Sequence, residues 1–213
     1  TTFTGIVGGT TALTSMTTNA GGSLILNGVS TTGTQTYGET TAVSLAGTFN
    51  TNNNSFVINA PATLIGATTV NAGTAVITFT NTVNGGQSLT ANSSNTTTFT
   101  GIVGGTTALT SLTTNAGGTT AINGGAVTTT AAQSYGDAVT LGAATTITGV
   151  GNTFSGTVNG AQTLLIVDSG ATTFSAAVGG TTALTSLTTN AGGSTSAVNV
   201  TTTGTQTYND NLT

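Results

Sequence analysis

The phrase that opens the chain at Thr1, TTFTGIVGGTTALTSMTTNAGG, returns almost letter for letter as TTFTGIVGGTTALTSLTTNAGG from Thr97 and as TTFSAAVGGTTALTSLTTNAGG from Thr172. Self-similarity along a whole chain is the mark of a repeat architecture. The copies begin at positions 1, 97 and 172, spacings of 96 and then 75, and this inequality narrows the choice. The difference of 21 falls in one stretch: Val43 to Phe79 is a step of 36, whereas the matching Val139 to Phe154 is a step of 15. Shorter intervals have the same size, since Phe79 to Phe99 and Phe154 to Phe174 are both 20. At a solenoid coil length of about 19–21, the spacing of 75 reads as four coils and that of 96 as five. The first unit then carries one extra coil within about positions 44–78. A solenoid accepts such an insertion because each coil touches only its neighbours. In a closed barrel or a sandwich, an extra set of strands disrupts closure.

Two further phrases keep step with the first. QTYGE, QSYGD and QTYND begin at Gln35, Gln133 and Gln206. TFTNTVNGGQSL from Thr78 matches TFSGTVNGAQTL from Thr153. Within the coils the pattern is that of strands. In AVITFTNTV, Ala75, Ile77 and Phe79 share one side, and Val76, Thr78 and Thr80 the other. Val43 with Leu45 and Val139 with Leu141 alternate likewise. Leu109 and Leu112 lie three apart, which an amphipathic helix would also give. The run is short and Thr-rich and ends in Asn-Ala-Gly-Gly, so it reads as a corner between two strands, each with a leucine inward. Asn-Gly at 27, 84, 123 and 159 marks further corners. Hairpins are the rival reading of Asn-Gly, but they do not explain a coil-sized insertion. Asn19, Asn115 and Asn190 are candidates for corner hydrogen bonds in equivalent places. The fold class expected is all-β: residues 1–213 form one parallel β-helix of about 11 coils, roughly 50 Å long.

Composition agrees and excludes much else. Of 213 residues 59 are threonine, a β-branched residue that favours strands, while helix-forming Lys, Arg and Glu are almost missing. With no Lys, Arg or His, nothing neutralises a phosphate, so neither nucleic acid nor an anionic lipid surface is an expected partner. No apolar run approaches the ~18 residues that span a bilayer, and no signal peptide is recognisable, so direct membrane insertion is not expected. The chain opens and closes inside repeat phrases and reads as a segment of a longer protein.

Phrases such as TQTYGETTAVSLAG, TFSGTVNGAQTL and GGTTALTSLTTNAGG resemble the repeats of large bacterial surface proteins, the filamentous-haemagglutinin-like and autotransporter-like adhesins. The resemblance covers nearly the whole chain in repeat style. It implies a secreted β-helical rod, located outside a bacterial cell.

No catalytic constellation stands out, no cofactor is called for, and the chain reads as a non-enzyme. Glu39, Asp137 and Asp210, one in each QTY phrase, are weak metal candidates; one carboxylate per site falls far short of the six to eight oxygens that Ca²⁺ takes. The plainer expectation is a corner where Tyr packs over the coil and the acid faces water. Glu39 and Asp137, and Asp137 and Asp210, lie several coils apart; Asp168 has no counterpart in the other repeats and could lie near Asp137. The function expected is a structural extracellular rod, the shaft of a surface adhesin or the body of a secreted filament or matrix. Its partners would be neighbouring copies or further repeats, joined through the end coils. The alternative is a flat Thr-rich face that binds ice or a polysaccharide. In sequence, however, the Thr-x-Thr pairs keep no fixed offset from coil to coil.

Overall fold

A computed structural model describes all 213 residues. They form 25 strands and no helix, so no helix is long and apolar enough to cross a membrane. Every strand pairing is parallel. Hairpins, which pair antiparallel, are therefore excluded at the Asn-Gly positions. The chain winds as a β-solenoid with three faces.

Inward-facing residues trace each face from rung to rung. On the first face these are Met16, Gln35, Phe56, Ile77, Thr97, Thr120, Val139, Val158, Val178 and Val200. On the second they are Leu24, Val43, Ala62, Val83, Val103, Val127, Ile147, Ile166, Thr189 and Tyr208. The third face runs Val7, Val29, Phe49, Val70, Ala91, Thr114, Tyr135, Phe154, Phe174 and Ala197. The first face has ten rungs; the second gains an eleventh where Thr2 bridges Ile25, and the third an eleventh where Asn211–Leu212 pairs with Ser194–Thr195. The solenoid therefore makes about ten turns, about 48 Å at ~4.8 Å per step, close to the about 11 coils expected. Coil length varies: the turn from Val103 to Val127 is the longest, and it contains the corner Gly104–Thr110, which recurs at the same length after Val7 and Val178.

The repeat spacings also resolve differently from the whole numbers of coils expected. Met16, Leu112 and Leu187 hold the same place in the three phrase copies, yet lie on the first, third and second faces. From Met16 the chain completes four coils to Thr97 and crosses two more faces to Leu112, so the first spacing is four and two-thirds coils. By the same path the second spacing, from Leu112 to Leu187, is three and two-thirds. Each copy is therefore set one face back from the last. The one-coil difference is visible in the pairing: Tyr37 is separated from Phe79 by the rung of Ile58, whereas Tyr135 pairs directly with Phe154.

The phrases recur together because they are stacked. Each TSLTTN or TSMTTN strand lies beneath a QTY or QSY strand: Met16–Thr18 under Gln35–Tyr37, Ser111–Thr114 under Gln133–Tyr135, Ser186–Thr189 under Gln206–Tyr208. Beneath the first phrase lies the TF…VNG phrase, Val83 under Val103 and Val158 under Val178. One local stack of three layers is built on different faces, which requires the three faces to be nearly equivalent.

A single core of 38 buried apolar residues runs along the axis. Aromatic rings from successive coils stack within it: Phe79 on Phe99 at 5.5 Å, then Tyr135 on Phe154 at 4.9 Å and Phe154 on Phe174 at 4.8 Å. Such pairs add about 0.5–1.5 kcal/mol each beyond area burial. Leu109 and Leu112 both point inward across their corner. That corner begins at Gly104 with φ 72°, and its counterparts Gly8 and Gly179 have 70° and 71°. A Cβ at any of the three would collide with a carbonyl oxygen of the next coil, that of Ser30, Thr128 or Thr201. Asn84 below receives the amides of Thr106 and Thr107 on its Oδ1, and Asn159 those of Thr181 and Thr182.

Candidate functional site

The QTY phrase is an interior device, and the expected corner with Tyr packed over the coil is not found. Gln and Tyr sit at alternate strand positions on the inward side, so both Tyr37 and Tyr135 are fully buried. Gln133 Nε2 donates to the carbonyls of Val127 (3.3 Å) and Thr148 (2.8 Å) and to Thr129 Oγ1 (3.2 Å). Tyr135 OH donates to Gln133 Oε1 at 2.6 Å. Gln35 and Tyr37 repeat the pattern with Val29, Thr31 and Asn50. A buried amide is thereby satisfied by two successive coils, its own and the next. Burial pushes both phenols well above their ordinary range, and for Tyr37 the neighbouring Glu39 adds to it.

The carboxylates do not face water either. Glu39, Asp137 and Asp168 are buried and Asp210 is half-buried. Asp137 accepts the amide of Gly118 at 2.8 Å and the Thr120 hydroxyl at 3.3 Å. Asp210 does the same with Gly193 and Thr195 at 3.0 and 3.1 Å. Glu39 accepts the Thr18 hydroxyl at 2.6 Å. Each acid thus clasps the strand or the Asn-Ala-Gly-Gly corner of the coil below it. Asp168 occupies a different corner from Asp137 and closes a denser cage. It accepts the amides of Gly151, Asn152 and Gly170, the Asn152 side chain and the Thr172 hydroxyl, at 2.7–3.1 Å. Burial raises the Asp137 carboxyl above its ordinary value, only partly opposed by its two donors. At Asp168 burial also acts upward, but three amides and a hydroxyl outweigh it and hold the carboxyl below the usual range. No three potential ligand residues converge on a metal position. Two of the three asparagines form the anticipated corner bonds: Asn115 Oδ1 accepts the Ser93 amide and Asn190 Oδ1 that of Asp168, at 2.7 and 2.8 Å, whereas Asn19, with no strand of that kind below it, does not.

The outward residues hold what the sequence concealed. On the third face, Thr48, Thr69, Thr90, Thr113, Ser134, Thr153, Thr173 and Ser196 pair in register on eight consecutive rungs. This hydroxyl column is unbroken and runs about 34 Å. Beside it stands an asparagine ladder, in which Asn71 Nδ2 donates to Asn50 Oδ1 and Asn92 Nδ2 to Asn71 Oδ1 at 2.7 and 2.8 Å. The equivalent column on the first face is interrupted by Val57 and Ala121, and that of the second face contains Ile25 and Leu165. The missing fixed offset is explained by coils of unequal length: positions that drift in sequence still coincide in space. The one surface depression, lined by Ile6, Gly8, Gly9, Thr10, Thr11 and Leu13, is broadly open and carries no ionisable group.

No protein-family model, no curated protein and no solved structure matches this chain.

Proposed function

We propose that this chain is a structural rod that acts outside a bacterial cell, as the shaft of a surface adhesin or the body of a secreted filament. The observation that carries the reading is how its polar groups are used. All four carboxylates and the buried glutamines tie one coil to the next. One core continues through ten rungs, and the same three-layer stack is built on successive faces. A molecule so organised resists bending and pulling and extends by adding coils, a mechanical role. Stacking through the end coils, with further repeats or with neighbouring copies, is the matching mode of assembly. The repeat style shared with bacterial adhesins supports an extracellular place.

The test is labelling of intact producer cells with antibodies raised against the purified chain. Periodic label along surface or shed fibres is expected. Label that enters only after permeabilisation overturns the reading.

A second reading, a binding face for ice or a crystalline polysaccharide, draws support from the unbroken hydroxyl column of the third face. Thermal hysteresis or pull-down on insoluble glycan, abolished by Thr90→Lys, is its expected signature.

A further inference from the structure

We infer that the third face is a side-to-side docking surface for a second copy of this rod, an inference that rests on the rod reading and adds its lateral partner. The first ground is charge. The chain has no Lys, Arg or His, and each of its four acids is hydrogen-bonded to the coil below or to its own corner. The chain's charge of −4 sits in these corners, and the outward columns of the third face carry no charged side chain. Exposed β-surfaces are ordinarily kept apart by charges, bulges or prolines, and a surface near neutrality favours association.

The second ground is relief. Two residues upstream of the hydroxyl column stand Ser88, Ser111, Ala132, Gly151, Ala171 and Ser194, none larger than serine. A ridge of threonines therefore runs beside a furrow, both along the axis and both with the strand spacing of about 4.8 Å. A copy related by a two-fold axis seats its ridge in this furrow and offers its own furrow in return, the self-complementary arrangement of an isologous pair. Interdigitated small polar side chains at strand spacing are the packing of a steric zipper. Ile65 and Val150, 49% and 47% exposed on the corner beside the furrow, would be covered in the same step.

The third ground is area. Eight rungs by three outward columns cover about 500–600 Å² per rod, hence about 1,000–1,200 Å² per pair. That lies at the lower limit for a specific interface and grows in proportion to the number of coils. One segment should pair weakly, and a longer run of such coils firmly.

The experiment is sedimentation of the purified chain over a concentration series, with negative-stain imaging of the particles. Concentration-dependent dimers of doubled width are expected, unaffected by NaCl because no ion pair is involved. Thr90→Lys with Thr153→Lys should weaken pairing at least about tenfold with unchanged circular dichroism. Thr78→Lys with Thr98→Lys, on the first face, should leave it intact. Should the lysine pair impair folding, single cysteines decide instead. Thr113→Cys, in the middle of the ridge, should form an interchain disulfide on mild oxidation, and Thr98→Cys should not. A chain that stays monomeric at every soluble concentration overturns the proposal. So does pairing that third-face lysines do not affect, or particles that double in length rather than width. Surface labelling of cells is independent of all these outcomes and tests the rod reading alone.

Discussion

At the scale of single residues, the interior is unusual in how many hydroxyls and carboxylates it takes in and how few it leaves without partners. The buried polar atoms that lack one are Thr97 Oγ1, Thr114 Oγ1 and Asn152 Oδ1. Thr172, which holds the place of Thr97 in the next copy, donates to Asp168; the residue four before Thr97 is Ser93, already engaged with Ala75 and Asn95. Replacing Thr97 by Val keeps the shape and removes an unpaired donor, so T97V should stabilise by about 1 kcal/mol, read as a higher urea midpoint. The two best-buried aspartates should split the pH dependence. Asp137 has a raised folded value, so its ionisation opposes folding, and its contribution improves as pH falls from neutrality through that raised value. Asp168 has a lowered value, so its contribution is full above the ordinary carboxylate range of about 3.9 and is lost as pH falls through the lower folded value. Asp137→Asn should flatten the mildly acidic limb of the stability profile and Asp168→Asn the strongly acidic limb. Melting temperatures measured from pH 7 to 2 check both.

At the scale of the element, the unit is a strand with the corner that follows it. Alternation in AVITF and AVSL was legible, because an inward residue must be apolar or fully hydrogen-bonded whatever the neighbouring coil contributes. The place of the QTY phrase was not. A glutamine and a tyrosine look like surface residues until the carbonyls of Val127 and Thr148, in adjacent coils, are brought to Gln133. The corners depend on glycine at fixed points. Gly104→Ala meets both a left-handed backbone and the Thr128 carbonyl. It should cost about 2 kcal/mol or more. Gly86→Ala, with open space around the new methyl group, should stay within about 0.5 kcal/mol. Paired denaturation curves of the two variants make the comparison.

At the scale of the whole molecule, the near equivalence of the three faces has a direct consequence. Removing residues 97–171 joins Thr96 to Thr172 and deletes three and two-thirds coils. Everything after the join turns by one face and finds the same local surroundings. The shortened chain should fold cooperatively, with unchanged β-type circular dichroism and a rod about 18 Å shorter by small-angle scattering. Removal of about half a coil more should abolish the cooperative transition, because inward residues would then fall on corners. The sequence by itself determined that the chain is all-β, coiled and extended, and that one unit is a coil longer than the next. Those properties follow from alternation and from repeat length, which are local or additive along the chain. The length of each coil varies with its corners, and small differences accumulate over ten turns. Only the tertiary structure could therefore decide which face each phrase occupies, that the acids and tyrosines turn inward, and that scattered threonines align into one continuous column.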